Sequence, residues 1–227
     1  QAVYGQMQDL GLGGVFHGSN NWAVNSFKTR SGRAILCNDM HLGYFAPGIW
    51  YQMHCVVNGK LNISGLAVPG QPFVICGHND KIAWGMTNVG VDDTDFYIER
   101  LNPDSTMYFF NRRWAGLEVR EEKIRLKSGN DLTRKIRFTH RGPIISQFQN
   151  IEEAAISMRW VGNESSNELL GIYKLNYAQN WEDFREACAL FRAISQNIAY
   201  ADIEGNIGLQ TAAGVPLKKD HSYALYP

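Results

Sequence analysis

Residues 13–26 read GGVFHGSNNWAVNS, and the reading of the whole chain turns on the Gly18-Ser19 junction inside that stretch. A glycine and a small nucleophile stand side by side where an aperiodic segment gives way to strand-like alternation. Gly-Ser-Asn-Asn by itself is loop chemistry ahead of a strand. The other reading is chemical. A serine hydroxyl is a weak nucleophile unless a base takes its proton. A serine at an N-terminus carries that base with it, because an α-amino group has a pKa of about 7.7–8.0. Such an amine exists only after the Gly18-Ser19 bond is cut. Ser19 can cut it by attacking the Gly18 carbonyl to form an ester that water then hydrolyses. Glycine suits the preceding position, since without a Cβ it leaves the carbonyl open and tolerates unusual backbone geometry.

Outward from this junction the chain changes character. Residues 1–18 carry five glycines and little periodicity, and read as a spacer. From Trp22 strand signals come quickly. WAVNSFKT and RAILCND flank Arg30-Ser31-Gly32, and IWYQMHCVV and LNISGLAV are joined by Asn58-Gly59, a strong short hairpin turn. FVICGHNDKIAWGMTN reads as two strands around His78-Asn79-Asp80. KIRLK and LTRKIRFT form another hairpin, and AAISMRW a further strand. Helical signal comes late. Asn180 is placed to cap NWEDFREACALF, where Trp181, Phe184, Ala187, Cys188 and Phe191 recur at helical spacing, and ELLGIYKLNYAQ reads as a second helix. QNIAYADIEGNIGLQTA returns as a hairpin about Glu204-Gly205. Many hairpins with a helical pair imply an α+β fold of packed sheets with helices outside.

Composition excludes several functions. The 22 basic and 22 acidic residues balance, which gives no electrostatic reason for a nucleic-acid or anionic-membrane partner. No apolar run is long enough to span a membrane. No signal peptide stands at Gln1, and a chain that opens on Gln reads as lacking its natural start. Cys37, Cys55, Cys76 and Cys188 are widely spaced, form no CxxC pair and read as buried small hydrophobes. The basic run from Lys123 to Arg141 alternates with Ile124, Leu126, Ile136 and Phe138, the pattern of a hairpin's wet face.

There is no GxSxG elbow, P-loop, dinucleotide fingerprint or HExxH, and the histidines show no metal spacing. A Ser-His-Asp group meets in space and not in sequence, so another serine stays open as a rival nucleophile. Asp92, Asp93, Thr94 and Asp95 form an acidic cluster that reads either as a solvated turn or as calcium chemistry.

Taken in order, Gly18-Ser19-Asn20-Asn21-Trp22, Asn38-Asp39-Met40-His41-Leu42, Gly77-His78-Asn79, Ala83-Trp84-Gly85 and Asp92-Asp93-Thr94-Asp95 resemble the penicillin acylase (penicillin amidase) family of N-terminal nucleophile hydrolases. YADIEGNIG is similar to a later family segment. The resemblance runs from residue 19 to about 216 and implies part of a four-layer αββα sandwich. It implies that residues 1–18 are spacer and that 19–227 form the N-terminal part of the nucleophile-bearing β-chain domain, with an α-chain partner from the same precursor. It makes Gly18-Ser19 the autocleavage site and Ser19 the catalytic nucleophile.

By the same resemblance His41 orients the amine or the substrate, the backbone N–H of Asn88 binds the oxyanion, and Leu42, Cys76, Met86 and Gln196 line the acyl pocket. The family usually has proline where this chain has Met40. Asp92, Thr94, Asp95 and Pro216 match ligands of a structural calcium, and no cofactor is implied for catalysis. His78 and Asn79 read as scaffold. The implied substrate is a small N-acyl amide: a penicillin or cephalosporin, an acyl-homoserine lactone or another acylated amine, met in the periplasm or outside the cell. A second oxyanion asparagine belongs to segments beyond Pro227. The alternative is a family-like module that binds or supports without catalysing.

Overall fold

Asn58-Gly59 turns the chain as its chemistry requires, with Gly59 at a φ of +70° that a side chain would resist. The strands it joins belong to the following order in the computed structural model: β1 (Ser19–Val24), β2 (Ile35–Met40), β3 (Tyr51–Val57), β4 (Leu61–Ala67), β5 (Cys76–His78), β6 (Ile82–Asn88), β7 (Thr94–Glu99), β8 (Met107–Phe110), β9 (Arg113–Gly116), β10 (Glu118–Arg125), β11 (Asp131–Thr139), β12 (Gly142–Pro143), β13 (Ala155–Trp160), helices α1 (Glu168–Tyr177) and α2 (Trp181–Cys188), then β14 (Gln196–Asp202), β15 (Ile207–Ala212) and β16 (Leu225–Tyr226). The structure describes residues 18–43, 46–148, 151, 154–217 and 225–226; the expected spacer, apart from Gly18, lies outside the described residues. The chain divides into two units, residues 1–91 with 166–214 and residues 92–165 with 215–227.

The first unit is built on an antiparallel sheet of order β15-β14-β6-β5-β4-β3 and a separate β1-β2 ribbon. Its two faces differ because β6 and β14 alternate large and small residues. Ile82, Trp84 and Met86 of β6, with Ile198 and Tyr200 of β14, join Ile172, Leu175 and Phe184 of the helices in one buried core. The Tyr200 ring packs at 5.1 Å from Trp181 and 5.0 Å from Phe184. Ala83, Gly85, Ala199 and Ala201 stand at the intervening positions, and this low face lets the ribbon approach. The helices, sheet and ribbon form three layers, the α, β and β of the expected sandwich. Among the described residues there is no second helical layer.

The helices start where their caps stand. The Asn180 side chain accepts the Asp183 N–H at 2.9 Å, satisfying one orphan donor of the first turn, and the Asp183 carboxylate reaches back to accept the Gln179 N–H at 2.9 Å. Two asparagines tie α1 to the sheet. Asn176, fully buried, accepts the Val74 N–H and donates to the Val74 and Ile172 carbonyls. Asn79 donates to the Asn176 and Ala178 carbonyls and accepts the N–H groups of Lys81 and Ile82, a scaffold role.

The second unit holds sheets of order β13-β7-β16 and β10-β11-β12 and the β8-β9 hairpin. Its buried polar centre is Glu99, which accepts hydrogen bonds from Ser157 (2.6 Å), Thr139 (3.1 Å) and the Arg141 guanidinium (3.1 Å). The basic run lies on the β10-β11 hairpin, but β10 is exposed along its whole length, so Ile124 stands in solvent beside the charges. Lys135 pairs with Glu121, and Arg120 lies over the Phe138 ring at 4.4 Å.

Candidate active site

Asn38 explains how the ribbon is fastened and why the site opens where it does. In the β6-β14 pairing the N–H of Val89 goes to Ser195, and the N–H of Ile203 at the other end goes to Lys81. Bonded pairs alternate along an antiparallel ladder, so the odd residues of β6 bond to β14 and the even ones point toward β5. The β5-β6 pairing runs only to Gly77 opposite Trp84. Beyond it, the Asn38 side chain stands in for a strand: it accepts the Met86 N–H at 2.9 Å and donates to the Met86 carbonyl at 3.0 Å. Two residues further on, the N–H of Asn88 points the same way, past the end of β5.

Gly85 makes this docking possible. A Cβ there would lie 2.7 Å from the Cβ of Asn38 and 2.9 Å from its Cγ. Gly85→Ala is therefore expected to expel the Asn38 amide, leave both Met86 backbone groups unpaired and destabilise the first unit by at least about 2 kcal/mol, read from urea denaturation. Asn21 adds a second clasp, donating to the carbonyls of Gly85 (3.2 Å) and Asn197 (3.1 Å).

These contacts place Ser19 at the mouth of a cavity of about 250 Å³ lined by Ser19, Met40, Leu42, Trp50, Gln71, Ile75, Cys76, Met86, Asn88, Glu168, Ile172, Phe191, Ile194 and Gln196. Ser19, Asn88, Leu42, Cys76, Met86 and Gln196, scattered over the sequence, thus meet at one place. Gln196 donates to the Asn88 side-chain oxygen at 2.7 Å, which fixes that end of β6. Burial pushes the Cys76 thiol up to about 11, against a weaker opposing effect of a hydrogen bond with the Met86 backbone, so Cys76 acts as an apolar wall and not as a rival nucleophile. Among the described residues, Trp50 Nε1 and Gln71 Oε1 are buried without a hydrogen-bond partner.

His41 lies elsewhere. Ser19 pairs with Met40 and Asn20 with Asp39 across the ribbon, and alternate residues share a face. Ser19 and Met40 line the cavity, while Asn20, Asp39 and His41 occupy the opposite face. There the His41 ring sits 3.0 Å from the Asn20 amide nitrogen and 3.3 Å from the Asp39 carboxylate. What His41 brings toward Ser19 is its backbone: its N–H donates to the Gly18 carbonyl at 2.9 Å. That bond makes Gly18 and His41 a bonded pair, so the next pair, Ser19 and Met40, is a non-bonded one. The Met40 N–H takes no part in the ladder, so a proline at this position would remove no ladder hydrogen bond.

Sequence reasoning missed Glu168. It opens α1, lines the cavity, and accepts the N–H groups of Arg192 (3.0 Å) and Ala193 (2.8 Å) and the Ser166 hydroxyl (2.6 Å). This holds the segment that carries Phe191 and Ile194 into the wall. Burial pushes the Glu168 carboxyl up, but the three hydrogen bonds outweigh burial and hold it at about 2, against an ordinary 4.5. A carboxylate depressed in the folded state adds stability above its unfolded pKa and loses it as the pH falls toward the folded one. The melting temperature is expected to fall between about pH 4.5 and about pH 2, more steeply in wild type than in Glu168→Gln.

Asp92, Thr94, Asp95 and Pro216 all belong to the second unit. Asp95 is buried, and the Asp93 carboxylate receives the Thr94 hydroxyl (2.9 Å) and the Trp160 indole N–H (3.3 Å). Among the described residues no three His, Cys, Asp or Glu side chains gather to hold a metal ion. Calcium takes six to eight oxygens, so two carboxylates with two carbonyls supply only part of a shell. Among the described residues no helix is long and apolar enough to cross a membrane.

Comparison with known proteins places the chain in a family. The penicillin amidase family model matches residues 2–227. The chain is 31% identical over 217 residues to penicillin G acylase of Escherichia coli, covering 95% of the chain and 25% of that protein. It is 29% identical over 215 residues to acyl-homoserine lactone acylase QuiP of Pseudomonas aeruginosa, covering 89% of the chain and 25% of the relative. Among solved structures it is similar to a thermostable penicillin G acylase from Alcaligenes faecalis, with a TM-score of 0.75 and 31% identity over 85% of this chain and 35% of that one. The chain thus spans about a quarter of the length of these curated relatives. The ribbon that carries Ser19 lies on a sheet of this topology, and the family match over nearly every residue leads to one conclusion: the chain belongs to the penicillin amidase family.

Proposed function

We propose that the full-length protein is a self-processing amidohydrolase in which Ser19, freed as an N-terminus, cleaves a linear amide of an acylated amine through an acyl-enzyme. One observation carries this reading: Ser19 and Asn88, whose N–H is left over by the ladder, meet at an apolar cavity of about 250 Å³. That volume lies below the usual 300–1,000 Å³ of sites that enclose a whole drug-sized ligand, which supports a pocket for the acyl group with the amine outside. The Ser19 amine takes the hydroxyl proton, Oγ attacks the amide carbon, and the Asn88 N–H stabilises the oxyanion, a contribution on the order of 10²–10³ in rate. The amine then passes the proton to the leaving nitrogen, and water hydrolyses the acyl-Ser19 ester by the same route.

Leu42, Met86, Ile172 and Phe191 favour an apolar acyl chain, and Trp50 Nε1 and Gln71 Oε1 offer a place for one polar substituent or a water. Penicillins, acyl-homoserine lactones and other N-acyl amines all fit this description, and the names of the relatives support the first two. Self-processing is supported by the relative named penicillin acylase 2 proenzyme from Pseudomonas sp.. A periplasmic or secreted location, the α-chain partner and a structural calcium belong to the same proposal. Such a calcium would draw on Asp92, Thr94, Asp95 and Pro216 for part of its shell, and no catalytic step uses it.

The test is to express the full-length protein, follow its mass and sequence the new N-terminus, then assay the mature form on phenylacetyl and long-chain acyl amides. A chain beginning at Ser19 that releases amine from either series is the expected result. A precursor that stays intact under every condition, or a mature form inert on both series, favours the non-catalytic module instead.

A further inference from the structure

The two chemical tasks of Ser19 present their carbonyls in different places, and the structure assigns them different main-chain donors. We infer that the His41 backbone N–H, and not its ring, is the oxyanion donor for self-cleavage, while the Asn88 N–H serves the later hydrolysis. The inference rests on Ser19 being the nucleophile of the proposed function and deepens it.

In the uncut chain the Gly18 carbonyl oxygen already receives two hydrogen bonds, from the Ser19 hydroxyl at 2.7 Å and from the His41 N–H at 2.9 Å. The first is broken when Oγ turns to attack. The second remains on the oxygen as it becomes an oxyanion. Gly18 holds a φ of +107° with open space where a Cβ would stand, so only glycine presents its carbonyl this way without strain. The reaction balances without any other group. Oγ bonds to the Gly18 carbonyl carbon, the bond from that carbon to the Ser19 nitrogen breaks, and the hydroxyl proton moves to the departing nitrogen. Water then hydrolyses the ester to a Gly18 carboxylate, a Ser19 hydroxyl and the free amine.

The His41 ring acts on this donor indirectly. It reaches across the ribbon to Asn20 at 3.0 Å while Asp39, on its own strand, holds its other nitrogen at 3.3 Å. The ring thereby clamps the residue after the nucleophile to β2, on the face turned away from the cavity. This is a positioning role, and its loss loosens the Gly18 contact without deleting the donor.

The experiment separates donor from ring in the full-length precursor. Amber suppression replaces His41 with either phenylalanine or phenyllactate; both lack the imidazole, and they differ only in N–H against ester oxygen. Cleavage is timed by intact mass, with thermal melting to confirm that both precursors fold. The His41→Phe precursor is expected to cut within about tenfold of wild type, and the ester precursor at least 100-fold slower than His41→Phe, the scale of one oxyanion donor. Equal rates for the pair, or a larger loss from removing the ring than from removing the N–H, overturn the inference. Should the ester precursor not fold, exchange of the His41 amide in uncut Ser19→Ala precursor decides: slow exchange is expected, and fast exchange overturns it. If wild type is never cut, or Ser19→Ala is cut at the same bond, it is the underlying assignment of Ser19 that fails.

Discussion

Ser19→Ala in the full-length precursor is expected to leave the Gly18-Ser19 bond intact and to abolish amide hydrolysis. Two separate losses combine. Without Oγ there is no atom to attack the Gly18 carbonyl, so the amine is never released. Without the amine there is no base, even for water. Removing a serine nucleophile from a site that works as a unit costs on the order of 10⁶ in turnover. Ser19→Cys discriminates further, because a thiol is nucleophilic near neutral pH: it is expected to retain measurable self-cleavage while hydrolysing substrate more slowly. Intact mass over time and release of a chromogenic amine read the two steps. Wild-type activity in an uncut Ser19→Ala protein would transfer the nucleophile to some other serine.

The largest effect on stability is expected at Glu99, in the second unit. Its carboxylate is almost wholly buried, its side chain 1% exposed, against 22% for Arg141. Glu99→Ala strips the acceptor from the Ser157 and Thr139 hydroxyls and from Arg141, whose guanidinium lies over the Tyr97 ring at 4.4 Å. Breaking a buried pair by removing one partner costs about 3–5 kcal/mol, mostly because the remaining charge stays desolvated. Replacing both partners, Glu99→Leu with Arg141→Met, is expected to recover the part due to the stranded charge, while the Ser157 and Thr139 hydroxyls, still without their acceptor, keep the rest of the loss. Urea midpoints of the single and double variants check this.

The order of hairpins, the two helices and the Asn180 cap were legible in the sequence because each depends on residues a few positions apart. Alternation, turn chemistry and capping are local, and Asn58-Gly59 or Asn180 with Asp183 have the same effect in any surroundings. The alternating basic hairpin shows the limit. Its period was readable, but exposure of both faces of β10 depends on what packs against it. Asn38 shows the limit more sharply. It stood in a recognised motif without a role, because its task is to complete a ladder that β5, beginning only at Cys76, leaves short. Glu168 escaped notice for the same reason: its partners, Arg192 and Ala193, lie across a helix pair.

Residue order was enough to say that a serine follows a glycine at the start of a strand, that β-hairpins dominate, and that an ordered set of motifs matches one family. Which atoms of those motifs face the serine was settled by packing alone. A one-residue step along a strand reverses the face, so His41 turns its ring away from the cavity and its N–H toward Gly18. Likewise the N–H of Asn88 becomes available only because β5 ends before reaching it. Residue type can be read in order along a chain, whereas the direction of a main-chain donor depends on which strand lies beside it.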